Sequence, residues 1–266
     1  MLQLPGFVVN NMNISWKCMK PSFSASKVAT LIGVNPFQPS FPEVFQLMGQ
    51  MDVPLCYEGT AQRPVEKAAL ENHLLEIVKP HITPSTTVED LHKLEKNLGV
   101  LGPLGPQAAQ AARMRFGQVA EQKTVENLRT TGQYGEGQYM KGDFKHFFIT
   151  GKTDGTYNGK IVEIKNRKNR FLGITSYERP QFECYTRLFG VTELYLCEML
   201  KKETGTEQRL LLVQSDEKLW SFIMQRLTWV SQFIEEVQER PFLQELDEEL
   251  LEKHYHQFLE ECQTIL

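Results

Sequence analysis

Asp154, Glu163 and Lys165 are the residues whose types and spacing could do chemistry together. They lie within residues 150–165, a stretch that reads as a β-hairpin. Asn158 and Gly159 suit a two-residue type I′ turn, in which both central residues need φ > 0. A turn that tight pairs Tyr157 with Lys160, and continuing outward sets Asp154 opposite Glu163. Opposed side chains have Cβ atoms roughly 4.5–5.5 Å apart, so two carboxylates placed there repel. A divalent cation between them relieves the repulsion, and hard oxygen donors suit Mg2+ or Mn2+. Alternation along the strand turns Val162 and Ile164 toward a core and puts Glu163 and Lys165 on the side of Asp154. An acid pair, a metal and an amine are the parts of a phosphodiester-hydrolysing site. On an exposed hairpin the same residues would be ordinary solvated charges. The reading therefore depends on what the rest of the chain brings to them.

The N-terminal residues 1–22 read as irregular, with Trp16, Lys17 and Lys20 close together. Ser22, Ser24 and Ser26 then lead into a helix over Val28–Ile32, which one of them caps. Gly33, followed by Asn35 and Pro36, ends it. A capped helix start is usually structural, but free N–H groups, hydroxyls and nearby lysines also suit a phosphate. Residues 40–50 suggest a short helix and 61–79 a longer one, with His73 as a surface or interface residue. The Pro-, Thr- and Gly-rich residues 80–105 read as a connection or insertion around one helical piece, 88–99.

Gln107–Arg129 is a strong helical pattern with Arg113 and Arg115 in its first half. Gly117, Glu121 and Val125 follow at one-turn intervals. The small Gly117 would let another backbone pass close by. Residues 138–150 read as one strand ahead of the hairpin. Residues 166–177 carry Arg167, Lys168 and Arg170, the densest basic run. It is a solvated loop, an import signal or, right after an acidic metal site, a phosphate contact. A helix starts near Pro180 and puts Gln181 and Tyr185 on one face. Strands over 191–200 and 208–214 follow. The amphipathic helix 216–239 is expected to bury its aromatics, including Trp220, Phe222, Trp229 and Phe233. The last 26 residues read as one acidic helix, on which His254 and His256 diverge.

The totals fit this outline. The 266 residues are 41% hydrophobic and 23% charged, enough to bury a core without disulfides. The formal net charge of −4 argues against a uniformly basic coat, not against a local basic groove. Five cysteines with no C-x-x-C pair suggest reduced thiols inside a cell, nuclear or cytoplasmic according to host. They give no support for a zinc or iron–sulfur site. No signal-peptide pattern and no apolar run of membrane-spanning length is evident, so neither secretion nor a membrane partner is expected.

Taken in chain order, these signals resemble the lambda-exonuclease-like, or YqaJ-type, branch of the PD-(D/E)XK nucleases. They are Ser24-Ala25-Ser26, Gly117 and Glu121, Asp154-Gly155, Glu163-x-Lys165, then Gln181 and Tyr185. The resemblance covers roughly residues 16–200, with little to match between about 50 and 110. It implies an α/β, restriction-endonuclease-like fold: a central mixed sheet of about four or five strands flanked by helices. The whole chain, 1–266, would be one domain. Its catalytic core would span about 107–215, with an N-terminal helical region at 16–106 and C-terminal helices at 216–266.

The resemblance also implies a Mg2+-dependent deoxyribonuclease (Mn2+ would serve), chiefly an exonuclease on double-stranded DNA ends in recombination, replication or repair. Glu121, Asp154, Glu163 and the Ile164 carbonyl would be metal ligands. Lys165 would position or deprotonate the attacking water, and Gln181 would orient water or phosphate with Tyr185 behind it. Ser24, Ser26, Lys20, Arg115, Arg167, Lys168 and Tyr185 would contact DNA. The family places an arginine just before the serine motif, where this chain offers Lys17 and Lys20, which lack the bidentate fork. A homo-oligomer and a single-strand annealing partner are further implications. The same site could serve an endonuclease, and an inert DNA-binding or assembly protein is the reading from another class.

Overall fold

The computed structural model describes residues 19–56, 64–100, 102–167, 169–202 and 205–264. The predicted hairpin is formed by β5 (Gly155–Tyr157) and β6 (Lys160–Arg167). Asn158 and Gly159 both have positive φ, 49° and 80°, as a type I′ turn requires. Tyr157 pairs with Lys160 and Gly155 with Val162. Asp154 sits one residue ahead of the ladder.

The hairpin is the centre of a five-stranded sheet, ordered β2-β5-β6-β7-β8. The other members are β2 (Tyr134–Glu136), β7 (Glu193–Lys202) and β8 (Gly205–Gln214). Only β6 and β7 run parallel, so the sheet is mixed. The crossover between them is α6 (Arg179–Phe189), opened by Pro180 and closed by Gly190 at φ 64°. The other face of β6 is covered by α5 (Gly105–Thr131). Val162 and Ile164 pack with Leu128 of α5 in one cluster. Ile161, on the opposite face, joins Phe182 and Tyr185 of α6 in another. A strand covered on both faces is why Glu163 ends up buried.

Residues 138–150 are two strands, not the expected one. β3 (Tyr139–Asp143) and β4 (Phe148–Lys152) form a hairpin, with Phe144 N–H bonded to the Phe147 carbonyl at 2.9 Å. The polar Lys145 and His146 make the break, while Phe144 and Phe147 stack beneath it at 5.6 Å. With β1 (Ser22–Ser24), parallel to β4, they form a second sheet of order β1-β4-β3. The expected central mixed sheet is present, and this second sheet is additional to it.

The serine segment is extended through β1 and then turns through Ala25–Lys27 into α1 (Val28–Leu31). Its position is set by Phe23, buried against Phe147 at 5.2 Å, and no serine caps the helix. Gly33 does end it, at φ 77°.

Around this centre lie α2 (Ser40–Gln50), α3 (Pro64–Val78) and α4 (Val88–Gly99). The helical piece expected at 88–99, within residues 80–105, is α4. Thr87 and Asp90 form a capping box on α4, and Leu91 packs with Val78 of α3 and Ala112 of α5. His73 is exposed, as expected.

The helix α7 (Glu217–Glu239), capped by Asp216, buries Phe233 fully but leaves Phe222 38% exposed. The acidic tail is split into α8 (Pro241–Gln244) and α9 (Glu248–Thr264), with Asp247 accepting the Leu250 N–H at 2.8 Å. His254 and His256 do diverge, toward Glu236 and Glu252.

Gly151 presses β4 onto α6. A Cβ there would lie 2.8 Å from Tyr185 Cε1 and 2.9 Å from Leu188 Cδ1. Gly151→Ala should lower stability by about 1–3 kcal/mol. Urea denaturation reads this, and an unchanged midpoint would show that α6 yields.

Candidate active site

The hairpin and the first turn of α6 converge. Asp154 Oδ2 accepts the Ile164 N–H at 2.6 Å, which fixes that carboxylate against β6. Its own carbonyl accepts the Tyr134 hydroxyl at 2.6 Å. Lys165 Nζ donates to Glu163 Oε1 at 2.8 Å and to Gln181 Oε1 at 3.2 Å. Gln181 Nε2 reaches Glu163 Oε1 at 2.8 Å and lies 2.9 Å from the Tyr185 hydroxyl, which itself donates to the Lys152 carbonyl at 2.9 Å. Four of the sequence-predicted residues, Glu163, Lys165, Gln181 and Tyr185, thus form one chain of hydrogen bonds beside Asp154.

The other Glu163 oxygen, Oε2, is buried without a hydrogen-bond donor. Burial pushes the Glu163 carboxyl up to about 8 against the pull of Lys165, with Asp154 adding to the rise. Burial likewise raises Asp154, opposed by the Ile164 N–H and Lys165. Glu121, half-buried on α5, is raised by burial and then by Asp154. Three carboxylates therefore share a field that one buried ammonium only partly neutralises. Burial pulls Lys165 down, but Glu163, Asp154 and Glu178 together outweigh it and keep the ammonium above its usual range.

Oxygen donors short of positive charge fit a hard divalent cation. Among the described residues, however, no three carboxylate, imidazole or thiolate groups stand close enough together to make a ready ligand shell. Asp154 and Glu163 are adjacent, while Glu121 is coupled to them only through its field.

The remaining predicted residues divide. Ser24 Oγ and Ser26 Oγ, both in exposed residues, lie 2.9 Å apart. Lys20 is taken up by Asp143 at 2.9 Å and the Phe144 carbonyl at 3.1 Å. Arg115 bonds Gln118 at 3.3 Å and keeps a buried Nε without a partner. Lys168, like Trp16 and Lys17, lies outside the described residues.

Arg167 is a correction. Its side chain is 7% exposed, and the guanidinium bonds both Glu178 oxygens at 2.7 and 2.9 Å, Glu198 at 2.7 Å and the Gly173 carbonyl at 2.9 Å. It is a structural cation, not a phosphate contact.

Gly117 is a second correction. A Cβ there would meet nothing within 4 Å. Its carbonyl instead accepts Asn166 Nδ2 at 3.4 Å, and it lines a cavity of about 730 Å³ between α5 and residues 83–95. None of the three carboxylates lines that cavity.

Sequence reasoning missed Tyr134 and Lys152. Lys152 lies two residues before Asp154, and its charge acts on Glu121 and Asp154. That alternation was the available signal for it. Tyr134 left none.

The expected mixed sheet flanked by helices thus carries an Asp–Glu–Lys hairpin at its centre and Gln181 on the crossover helix. No family model matches the chain and no curated protein matches it. Among solved structures it is similar to an alkaline exonuclease from Laribacter hongkongensis, at 12% identity and a TM-score of 0.44, over 89% of this chain and 94% of that one. The same enzyme in complex with dAMP gives 10%, 0.45, 82% and 89%. A phage-related exonuclease from Haemophilus somnus gives 12%, 0.39, 82% and 96%. Likenesses this low assign no role to any residue, and the site stands on its own geometry.

Proposed function

We propose that this chain is a divalent-metal-dependent deoxyribonuclease, acting as an exonuclease on the ends of duplex DNA. One observation carries the reading: a buried, donor-less Glu163 oxygen next to Asp154, with Lys165 and Gln181 bonded to the other oxygen. Stability alone gives no reason to bury a carboxylate with one oxygen unsatisfied. Glu121, Asp154, Glu163 and the Ile164 carbonyl would hold Mg2+ or Mn2+. When bound, that ion supplies charge neutralisation at the phosphate and a more acidic water.

The chain's own groups do the rest. The Lys165 ammonium would stabilise negative charge building on the phosphate, and its N–H groups would position the attacking water. Gln181 is pinned by Tyr185 and ties Lys165 to Glu163, so the amine faces the site in one orientation. Ser24 and Ser26 present two hydroxyls suited to a terminal phosphate.

The test is cleavage of linear 5′-phosphorylated duplex, 5′-hydroxyl duplex and closed circular DNA, each with Mg2+ and with chelator. Loss of the linear duplexes alone, only with metal, is the expected outcome, the phosphorylated one going faster. Cutting of the circle means an endonuclease. No cleavage with Mg2+ or Mn2+ ends the enzyme reading. Metal should also raise the melting temperature, since an ion at a hundredfold excess over its Kd adds about 2.7 kcal/mol.

A further inference from the structure

The small sheet has an outer face of which the catalytic reading uses only Ser24. Its inner face is packed: Phe23 and Ile149 are buried, and Gly151 touches Tyr185. The register puts Ser24, Thr150 and Lys141 in one row of the outer face, and Lys152 and Tyr139 in the next. Lys141 and Lys152 are exposed, and Tyr139 is 63% exposed. Lys141 Nζ stands 3.8 Å from the centroid of the Phe148 ring, which holds it over the sheet. Lys20 shares that ring at 5.3 Å but is paired with Asp143, so the free positive charge lies with Lys141 and Lys152. Lys152 is also the junction with the carboxylates, because its charge reaches Glu121 and Asp154. In a chain of net charge −4, this is a local basic face with a bare ring on it.

We propose that this outer face binds an unpaired DNA strand, with Lys141 and Lys152 on its phosphates and Tyr139 stacked on a base. The proposal rests on the nuclease reading for the identity of the polymer. The exposed ring selects an unpaired strand over a duplex. A base in a duplex is already stacked on both sides, whereas an unpaired base offers a free π-face. A three-stranded face is also broader than the helix or two-stranded ribbon that the major groove of B-DNA admits. Backbone tracking by lysines beside an aromatic stacking platform is how single strands are held without sequence preference.

The experiment is fluorescence anisotropy on the full chain in chelator, where nothing is cut. It uses labelled oligothymidylate of about 12 nucleotides and a blunt duplex of the same length. Tyr139→Ala should weaken oligothymidylate binding about tenfold, with Tyr139→Phe restoring it. Lys141→Gln should weaken it several-fold and flatten its salt dependence by about 0.7 in log–log slope. Duplex binding should stay within twofold, and melting temperatures should match the parent, since both side chains are exposed. Parental oligothymidylate affinity in both variants overturns the proposal. So does an equal loss on the duplex, which would make this a duplex-binding face. Cleavage by the parent, measured separately, keeps the two readings apart. A parent that cuts while both variants bind normally refutes this face alone. A parent that binds through Tyr139 and never cuts refutes the enzyme alone.

Discussion

Asp154→Asn is expected to lower Mg2+-dependent cleavage of linear duplex by about a thousandfold or more, with no loss of fold. The carboxylate is fixed by the Ile164 N–H at 2.6 Å, and an amide oxygen can accept that same bond. The amide then removes one charge from a cluster in which burial raises both Asp154 and Glu163 and Asp154 adds to the rise of Glu163. Metal-free stability should therefore hold or rise, because like charges side by side are destabilising. What disappears is a hard, charged oxygen for the cation, and single groups that stabilise a transition state are commonly worth a hundred- to a thousandfold or more. Lys165→Ala should fall similarly in kcat, with a smaller change in KM. Steady-state cleavage beside a melting curve reads both. Activity within tenfold of the parent in Asp154→Asn would sink the carboxylate–metal mechanism.

Arg167→Ala has the largest expected effect on stability. Removing this guanidinium leaves Glu178 without its ion-pair partner, and Glu198 with Arg209 at 2.5 Å and the Leu172 and Gly173 N–H groups. The Glu178 and Glu198 side chains are 8% and 0% exposed. Breaking a buried pair by deleting one partner typically costs about 3–5 kcal/mol, because the other charge stays buried. Burial works to raise both carboxyls. Hydrogen bonds from Arg167 to Glu178, and from Arg209 and Arg167 to Glu198, overcome it and leave both below the usual range. Groups depressed in this way add stability above their unfolded pKa and lose it as pH falls through the folded value. The parent should therefore weaken on acidification below about pH 4.5, the unfolded value. Arg167→Ala should show a lower midpoint at pH 7 and a shallower acid limb in urea titrations. If Arg167 contacted phosphate instead, its loss would spare stability and weaken DNA binding with a reduced salt slope.

These two residues show where sequence legibility stopped. Asp154, Glu163 and Lys165 could be read because a two-residue turn fixes register and register fixes which side chains share a face. Gln181 and Tyr185 could be read because one helical turn puts them together, and Pro180 marks the start of that helix. Both are local rules, acting within a few residues. Arg167 defeated the same reading. It sits in a basic run, and only the approach of β7, carrying Glu198 from 31 residues away, turns its charge inward. Lys141 and Tyr139 were lost inside a segment read as a single strand, since the break at Lys145 and His146 pairs strands that periodicity cannot separate.

The sequence by itself determined the hairpin, its turn and register, the limits of α4, the opening of α6, and the Asp–Glu–Lys trio. Tertiary structure decided the second sheet, the burial of Glu163, the inward turn of Arg167 and the basic face around Lys141. The physical reason is reach. Turn and helix geometry is set by each residue and its near neighbours. Burial and ion pairing depend on which distant segment packs on top, and many packings share one local pattern.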